Sequence, residues 1–430
     1  MAAADPAASR YPLTPGLPFR FSFKNHFLSG ITLPAFLRLI ARHGDVVDWM
    51  YYGHRALFLF CMACFNSLLG LLDSLLYRQA IAAQSLNPEP VIILGHPRTG
   101  TTHIHNMLAV DEQFAYARTF HAGFPACFAS CGRLKPLLAP LVDATRPMDN
   151  MLISLDTPCE DEIAASAMTG AFVRAARDIA CNGPWCFMGR CHCTPPAHAS
   201  SSTVSAYLPL VFMRDRHRFD AFYTFEGASE ADFERWRSSL LWFLKKVTLC
   251  WGGCKPLLIK SPVHTARVAL LLKLFPRAKF VYVHRDPLTT FASAAHMADT
   301  YYWHCALQRT TSADVTDFIL DQFDLLHRTY SADRQLIPKG NLVEVSFAEL
   351  DADPLATMRR IYSSLRLGSF EAVRPALERY CGGIQLSGPL SPELRRRVQQ
   401  RWAPFYREYG YPLDPWLDEE PEEGAKLASA

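Results

Sequence analysis

Hydrophobic and polar positions divide the chain into a proline-punctuated arm, a long apolar region, and short buried runs alternating with amphipathic stretches. Pro6, Pro12, Pro15 and Pro18 mark the first ~25 residues as a loop arm. Helical, hydrophobic sequence follows to about Ala83, where Asn87-Pro88-Glu89-Pro90 breaks it. Val91-Ile92-Ile93-Leu94 is then a short apolar run bounded by Pro and Gly, the form of a strand buried on both faces of a parallel sheet. It enters a Gly-bounded loop, Gly95 to Gly100, and a helix is predicted over 101–110. Residues 232–251 read as an amphipathic helix, with Phe233, Trp236, Leu240, Phe243, Leu244 and Val247 along one side. Further strands are predicted over 257–259, 280–283 and 342–345, each followed by a helix: 265–275, 288–297 and 354–365. This alternation predicts an α/β fold, a P-loop-like parallel sheet flanked by helices through right-handed crossovers. No internal repeat interrupts it.

The apolar region changes the picture. Residues 56–72 (ALFLFCMACFNSLLGLL) carry no charge, but the run is 17 residues long and includes Asn66, Ser67 and Gly70. A spanning helix needs about 20 residues, with about 17 at the lower limit. It starts too far into the chain for an ordinary signal peptide. Three readings stand: a marginal signal anchor, a hairpin-like or interfacial helix, and a buried core helix. The preceding segments, 27–40 and 46–52, are also rich in Leu, Phe, Trp and Tyr, which favours an N-terminal region that dips into a membrane. The expected organisation is an arm and hydrophobic helical region over 1–88, an α/β domain over 89–415, and an acidic flexible tail over 416–430.

Composition narrows the function. At 430 residues and 50% hydrophobic, the chain can bury a large core and is not a disordered protein. With 44 basic against 41 acidic residues there is no electrostatic case for nucleic acid, although a local basic cluster leaves room for a small anion. Thirteen cysteines, an odd number, are scattered from Cys61 to Cys381, unlike the dense framework of a small secreted domain. Cys181, Cys186, Cys191 and Cys193 lie beside His192 and His198 in a Cys-, Pro- and Ser-rich stretch that reads as a surface insertion. Zinc would use Cys181/Cys186 and His192/His198, but the spacer that normally separates two ligand pairs is missing. Free thiols or one disulfide are the preferred account, and no metal is expected.

Gly95-His96-Pro97-Arg98-Thr99-Gly100-Thr101-Thr102 has the frame of a phosphate-binding loop, with backbone N–H groups wrapped around an anion at a helix N-terminus. The Lys that normally follows the second Gly is replaced by Thr101, and Arg98 supplies the cation. That defect disfavours an NTP-using kinase or NTPase, which remains the alternative.

The loop resembles the 5′-phosphosulfate loop of sulfotransferases that use PAPS (3′-phosphoadenosine 5′-phosphosulfate). Val281-Tyr282-Val283-His284-Arg285-Asp286-Pro287, followed by Ser293, resembles that family's 3′-phosphate site. An Arg at a strand end and a Ser on the helix beyond can converge on one phosphate. Further resemblance runs from about Arg55 to Tyr411, through 155–162 (LDTPCEDE), 224–227 (TFEG) and 260–267 (KSPVHTAR). It is nearest to the branch of bacterial sulfotransferases acting on lipids and quinones, and more distant from tyrosylprotein sulfotransferases. The Cys-rich stretch departs from that branch.

The resemblance implies a membrane-associated sulfotransferase that moves the sulfuryl group of PAPS to a hydroxyl of a hydrophobic or lipid-like acceptor. Arg98, Thr99, Gly100, Thr101 and Thr102 would hold the 5′ side, Arg285 and Ser293 the 3′-phosphate, and Lys260 the transferring group. The chemistry needs preorganised cations and N–H donors rather than a metal. It also needs a base for the acceptor hydroxyl. His264, four residues past Lys260, is the first candidate. The alternatives are Glu160, which could instead pair structurally with Arg174 or Arg177, and His121.

Overall fold

A computed structural model describes residues 21, 26–139, 145–146, 149, 151–168, 204–380 and 392–414. The proline-rich arm, the cysteine-rich stretch with its zinc alternative, Arg174, Arg177 and the acidic tail lie outside the described residues.

The apolar region folds as a 3-10 turn (Phe27–Gly30), helix α1 (Leu33–His43) and helix α2 (Trp49–Ala83). At 35 residues, α2 is twice as long as the uncharged run within it. Strand β1 (Val91–Leu94) leads into α3 (Thr101–Ala109), then β2 (Ala115–Tyr116) and α4 (Asp161–Met168). Helix α5 (Glu230–Cys250) opens at Ser229, whose hydroxyl accepts from the Asp232 N–H. It precedes β3 (Leu257–Lys260), α6 (Val268–Leu274), β4 (Lys279–His284) and α7 (Pro287–Met297). Helix α8 (Ser312–Asp333), β5 (Leu342–Ser346) and α9 (Pro354–Leu365) follow.

The five strands are all parallel, in the order β2-β3-β1-β4-β5. Ile93 lies opposite Lys260, and Leu94 opposite Tyr282, so the C-terminal ends of β1, β3 and β4 emerge together. In open α/β sheets that edge is where ligands bind. β1 is buried throughout, as its Val/Ile/Leu run predicts.

The structure departs from the predicted elements in three places. Two-residue β2 is too short to show any alternation. The helix predicted over 265–275 begins instead as a 3-10 turn, Pro262–Ala266, before α6, with Pro262 unable to supply an N–H to a regular strand or helix there. α8 carries a capping box at Thr311 and Asp314 that the sequence reading passed over.

The N-terminal helices share one core with the sheet. Leu28, Leu39, Leu59 and Ala63 cluster with Phe243, Ile92 and Ile259. Polar residues on the inner face of α2 are also tied in. Asp73 pairs with Lys246 of α5 at 2.5 Å, with both side chains nearly inaccessible. Removing one member would strand a buried charge, which costs about 3–5 kcal/mol in comparable pairs.

Candidate active site

β1 delivers the chain to a tight loop. Gly95 has φ +143°, and a Cβ there would lie 2.5 Å from the Val283 carbonyl oxygen. Its N–H donates to Thr265 Oγ1 at 2.8 Å, which fastens the loop to the segment after β3. Gly100 (φ +101°) faces the Phe347 ring so closely that a Cβ would meet it at 2.5 Å. Arg98 also has positive φ, with Thr99 between it and Gly100 on the negative side. Such alternation is the backbone form of an anion-binding nest, although here the Thr99 N–H itself donates to the His96 carbonyl at 3.2 Å. The first helix amides bonded back are those of His103 and Ile104, both to Gly100. The amides ahead of them are the ones a helix cannot satisfy internally. His96 wedges the loop from below against Phe323, its Nδ1–H donating to the Pro97 carbonyl at 2.7 Å.

Arg285 and Ser293 both meet this loop. Arg98 Nε donates to Ser293 Oγ at 3.0 Å, and an Arg285 guanidinium N–H donates to the Arg98 carbonyl at 3.1 Å. Arg285 also lies over the Phe347 ring, 4.3 Å from its centroid. Burial, and then repulsion from Arg98, lower its proton affinity from the usual guanidinium range. Two adjacent cations at a nest form a site that an anion stabilises. Arg98 is also paired with Asp149 at 2.8 Å, a partner that no motif announced.

Lys260 ends β3 beside the loop. Its Nζ donates to Glu160 Oε1 at 2.6 Å and to Thr102 Oγ1 at 3.0 Å, so one ammonium bridges a carboxylate and the loop helix. Tyr207 donates its phenolic O–H to the other Glu160 oxygen. Burial raises the carboxyl's pKa, but the charge and hydrogen bond of Lys260, with Tyr207 and Arg146, outweigh it and hold Glu160 below the usual range. The neighbouring Asp161 clamps the strand end from behind. It accepts from the Lys260 backbone N–H at 3.2 Å and from Ser261 Oγ at 3.0 Å.

These groups open into a cavity of about 280 Å³. Arg98, Thr101, Thr102, Glu160 and Lys260 line its polar end, while Phe27, Met151, Leu152, Ile153, Leu210 and Met297 contribute apolar wall. Tyr301 and Tyr302 enter the wall from a π-helical turn, Ala298–Tyr302, that continues α7. Such turns are frequent at functional sites. Asn106, one turn beyond Thr102, also lines the cavity, and its Oδ1 is buried with no hydrogen-bond partner.

Neither histidine candidate reaches this cavity. His264 is fully buried, with Nε2 2.6 Å from Asp161 Oδ2, because the 3-10 turn carries its ring inward behind β3. His121 stacks on Phe128 and accepts the Arg118 N–H through Nδ1. Burial and the cations Arg118, Lys135 and Lys246 push its pKa down to about 3. Of the three base candidates, Glu160 alone lines the cavity. Sequence reasoning missed Tyr207, Asn106, Arg146 and the tyrosine pair, none of which belongs to a motif. Among the described residues no group of three or more His, Cys, Asp or Glu side chains is arranged to hold a metal.

Residues 90–371 match the profile of the Sulfotransferase family. The chain belongs to the sulfotransferase family. Over 386 residues it is 28% identical to the omega-hydroxy-beta-dihydromenaquinone-9 sulfotransferase Stf3 of Mycobacterium bovis, covering 89% of this chain and 90% of that protein. The same figures hold for Stf3 of Mycobacterium tuberculosis. Its fold is similar to that of sulfotransferase STF9 from Mycobacterium avium (TM-score 0.55, 18% identity, 89% of this chain and 98% of that one). It is similar as well to STF1 from Mycobacterium tuberculosis (TM-score 0.54, 15% identity, 86% and 90%). The kinase or NTPase alternative gives way to this sulfotransferase.

Proposed function

We propose that this sulfotransferase uses PAPS as donor, acts on a hydroxyl of a lipid-like acceptor, and works at a membrane surface. The observation that carries the proposal is Lys260, held at 2.6 Å from Glu160 and 3.0 Å from Thr102 where the anion loop opens into an apolar-walled cavity.

The residues fit the donor. The nest and α3 N-terminus suit the 5′-phosphosulfate, and Arg285 with Ser293 suits the 3′-phosphate. Every one of these groups is a cation, an N–H or a hydroxyl, the set that recognises phosphate. Bound there, PAPS supplies an activated sulfuryl group. Lys260 stands at the junction and stabilises negative charge that develops on the loop side. Glu160 is ionised at neutral pH and accepts the acceptor hydroxyl's proton through a carboxylate oxygen. Negative charge at the loop competes for Lys260, which raises the proton affinity of Glu160 when it is needed. Asp161 and His264 act through Lys260 as positioning residues. The apolar walls exclude water and take the acceptor's hydrocarbon; the mycobacterial relative's name, which specifies an ω-hydroxylated menaquinone, supports a lipid-like class.

Differential ligand stabilisation tests the donor. PAP (3′-phosphoadenosine 5′-phosphate) at a hundredfold excess over its Kd should stabilise the fold by about 2.7 kcal/mol. ATP, which lacks the 3′-phosphate, should stabilise it far less. Arg285→Ala should erase most of the preference for PAP over AMP by removing a charge-assisted pair. Equal thermal shifts by ATP and PAP in the wild type would refute the assignment.

A further inference from the structure

Helix α2 has two faces of opposite character, and together they define how it can meet a membrane. Along the inner face, polar side chains are locked to the body of the protein. Arg55 donates to the carbonyls of Trp303 and Ala306, and Asn66 to those of Ser29 and Ile31. Ser67 accepts the Leu33 N–H, and Asp73 is held by Lys246 and the Ser130 N–H. Asn66 and Ser67 lie within the apolar run, and Arg55 and Asp73 bracket it. A spanning helix of about 20 residues centred on that run would carry Asn66, Ser67 and at least one of Arg55 and Asp73 into hydrocarbon stripped of their partners, where unsatisfied polar groups are not tolerated.

The outer face is the reverse. Eight large apolar side chains between Leu57 and Leu76 are exposed, with Leu57 at 62%, Leu68 at 68% and Leu75 at 84%. Ser74 is the one exposed polar position in that interval apart from the thiol of Cys61. Only 28% of the helix's most apolar 18-residue window is buried, so α2 is not a core helix either. The ridge runs about 29 Å at 1.5 Å per residue. Leu37 of the adjacent α1, 54% exposed, widens it.

We propose that α2 docks in the plane of the bilayer, its Leu57-to-Leu76 ridge seated at the headgroup–acyl boundary while its inner face stays in the protein. This deepens the membrane-facing reading above and rests on it for the lipid nature of the surface. Lipid is favoured over a second copy by chemistry. Protein interfaces carry about one hydrogen bond per 100–200 Å² and a polar rim, whereas this ridge offers almost nothing to bond. Among residues 49–83 the sole carboxylate, Asp73, is buried, and the cations Arg42 and Arg78 are exposed on α1 and near the end of α2. Asp45, between the two helices, is exposed but paired with Arg218. An apolar ridge with cations on both flanks and no exposed carboxylate on α2 itself suits an anionic lipid surface.

The test is co-sedimentation of the full chain with phosphatidylcholine vesicles containing about 30% phosphatidylglycerol. Wild type should pellet with the vesicles and be released by alkaline carbonate. The L68E/L72E/L75E variant should bind about 10²-fold more weakly or worse. The milder L68S/L75S variant serves if the triple one fails to fold. In both, an unchanged thermal shift with PAP shows an intact donor site. That shift reports on the sulfotransferase reading independently, so the two can fail separately. Vesicle binding undiminished by the substitutions, retention through carbonate, or a soluble wild-type dimer that the substitutions dissociate would each overturn in-plane docking.

Discussion

Replacing Glu160 with Gln should lower kcat by about 10² to 10⁴, the usual worth of a positioned general base. PAP affinity should change little, because the loop, Arg285 and Ser293 are untouched. Gln keeps a carbonyl oxygen for Lys260, with its NH2 able to donate to the Tyr207 hydroxyl oxygen, but it cannot hold the acceptor's proton. The geometry that makes this the most damaging conservative change is the bridge Glu160–Lys260–Thr102 on the cavity wall. His264→Ala should behave differently. It removes the group that holds Asp161, which in turn fixes the end of β3, so it should reduce stability as well as rate. His264→Gln, able to donate to Asp161 through its amide, should recover part of both. An imidazole base would also leave an acid limb near its ordinary pKa of about 6.5, whereas a depressed carboxylate leaves the rate flat across neutral pH. Steady-state kinetics over that range separate the two assignments.

A steep loss of stability on mild acidification should follow from four buried imidazoles. Burial pushes His26, His96, His105 and His121 each down to about 3. In His26, Arg55 and His304 add to burial; in His105, Lys260 does. In the unfolded chain the same groups titrate at about 6.5. Between these values the unfolded chain binds more protons, so stability rises with pH and falls as pH drops through 6.5. Each group contributes about 1.4 kcal/mol per pH unit well below its unfolded pKa. Together they remove about 5 kcal/mol between pH 7 and 5.5, comparable with the whole stability of many domains. Thermal denaturation should show Tm falling by about 5 °C or more over that interval. His43, pushed down to about 4 by burial, adds a share of similar size, so His121→Gln should remove about a fifth of the dependence or less. A Tm independent of pH there would mean that these rings titrate normally.

The contrast between loop and base shows what a sequence carries. The anion loop was legible because its chemistry is local: β1 is an uninterrupted apolar run, and the glycines and Arg98 sit within one turn of it. The nearness of Arg285 and Ser293 to that loop was legible because they sit just past a strand end and on the helix after it. The carboxylate proposed as the base was visible only as one of three candidates. Glu160 and Lys260 are a hundred residues apart, and the sheet alone brings α4's entry beside the end of β3. His264 drew attention by its nearness to Lys260 along the chain, yet a single 3-10 turn beginning at Pro262 is enough to point it inward. α2 was ambiguous for a related reason. Its uncharged run announces an apolar helix, but which face is sealed depends on Asn66, Ser67 and Asp73 finding partners on other elements.

The most direct measurement is transfer from [35S]PAPS into a lipid extract, comparing wild type with Lys260→Ala and identifying the product by mass spectrometry. The account predicts label in an organic-phase sulfate ester, one sulfuryl group heavier than its hydroxyl precursor, formed by wild type and nearly abolished in the variant. Label that stays in PAPS, or that passes as readily with Lys260→Ala as with wild type, would contradict it.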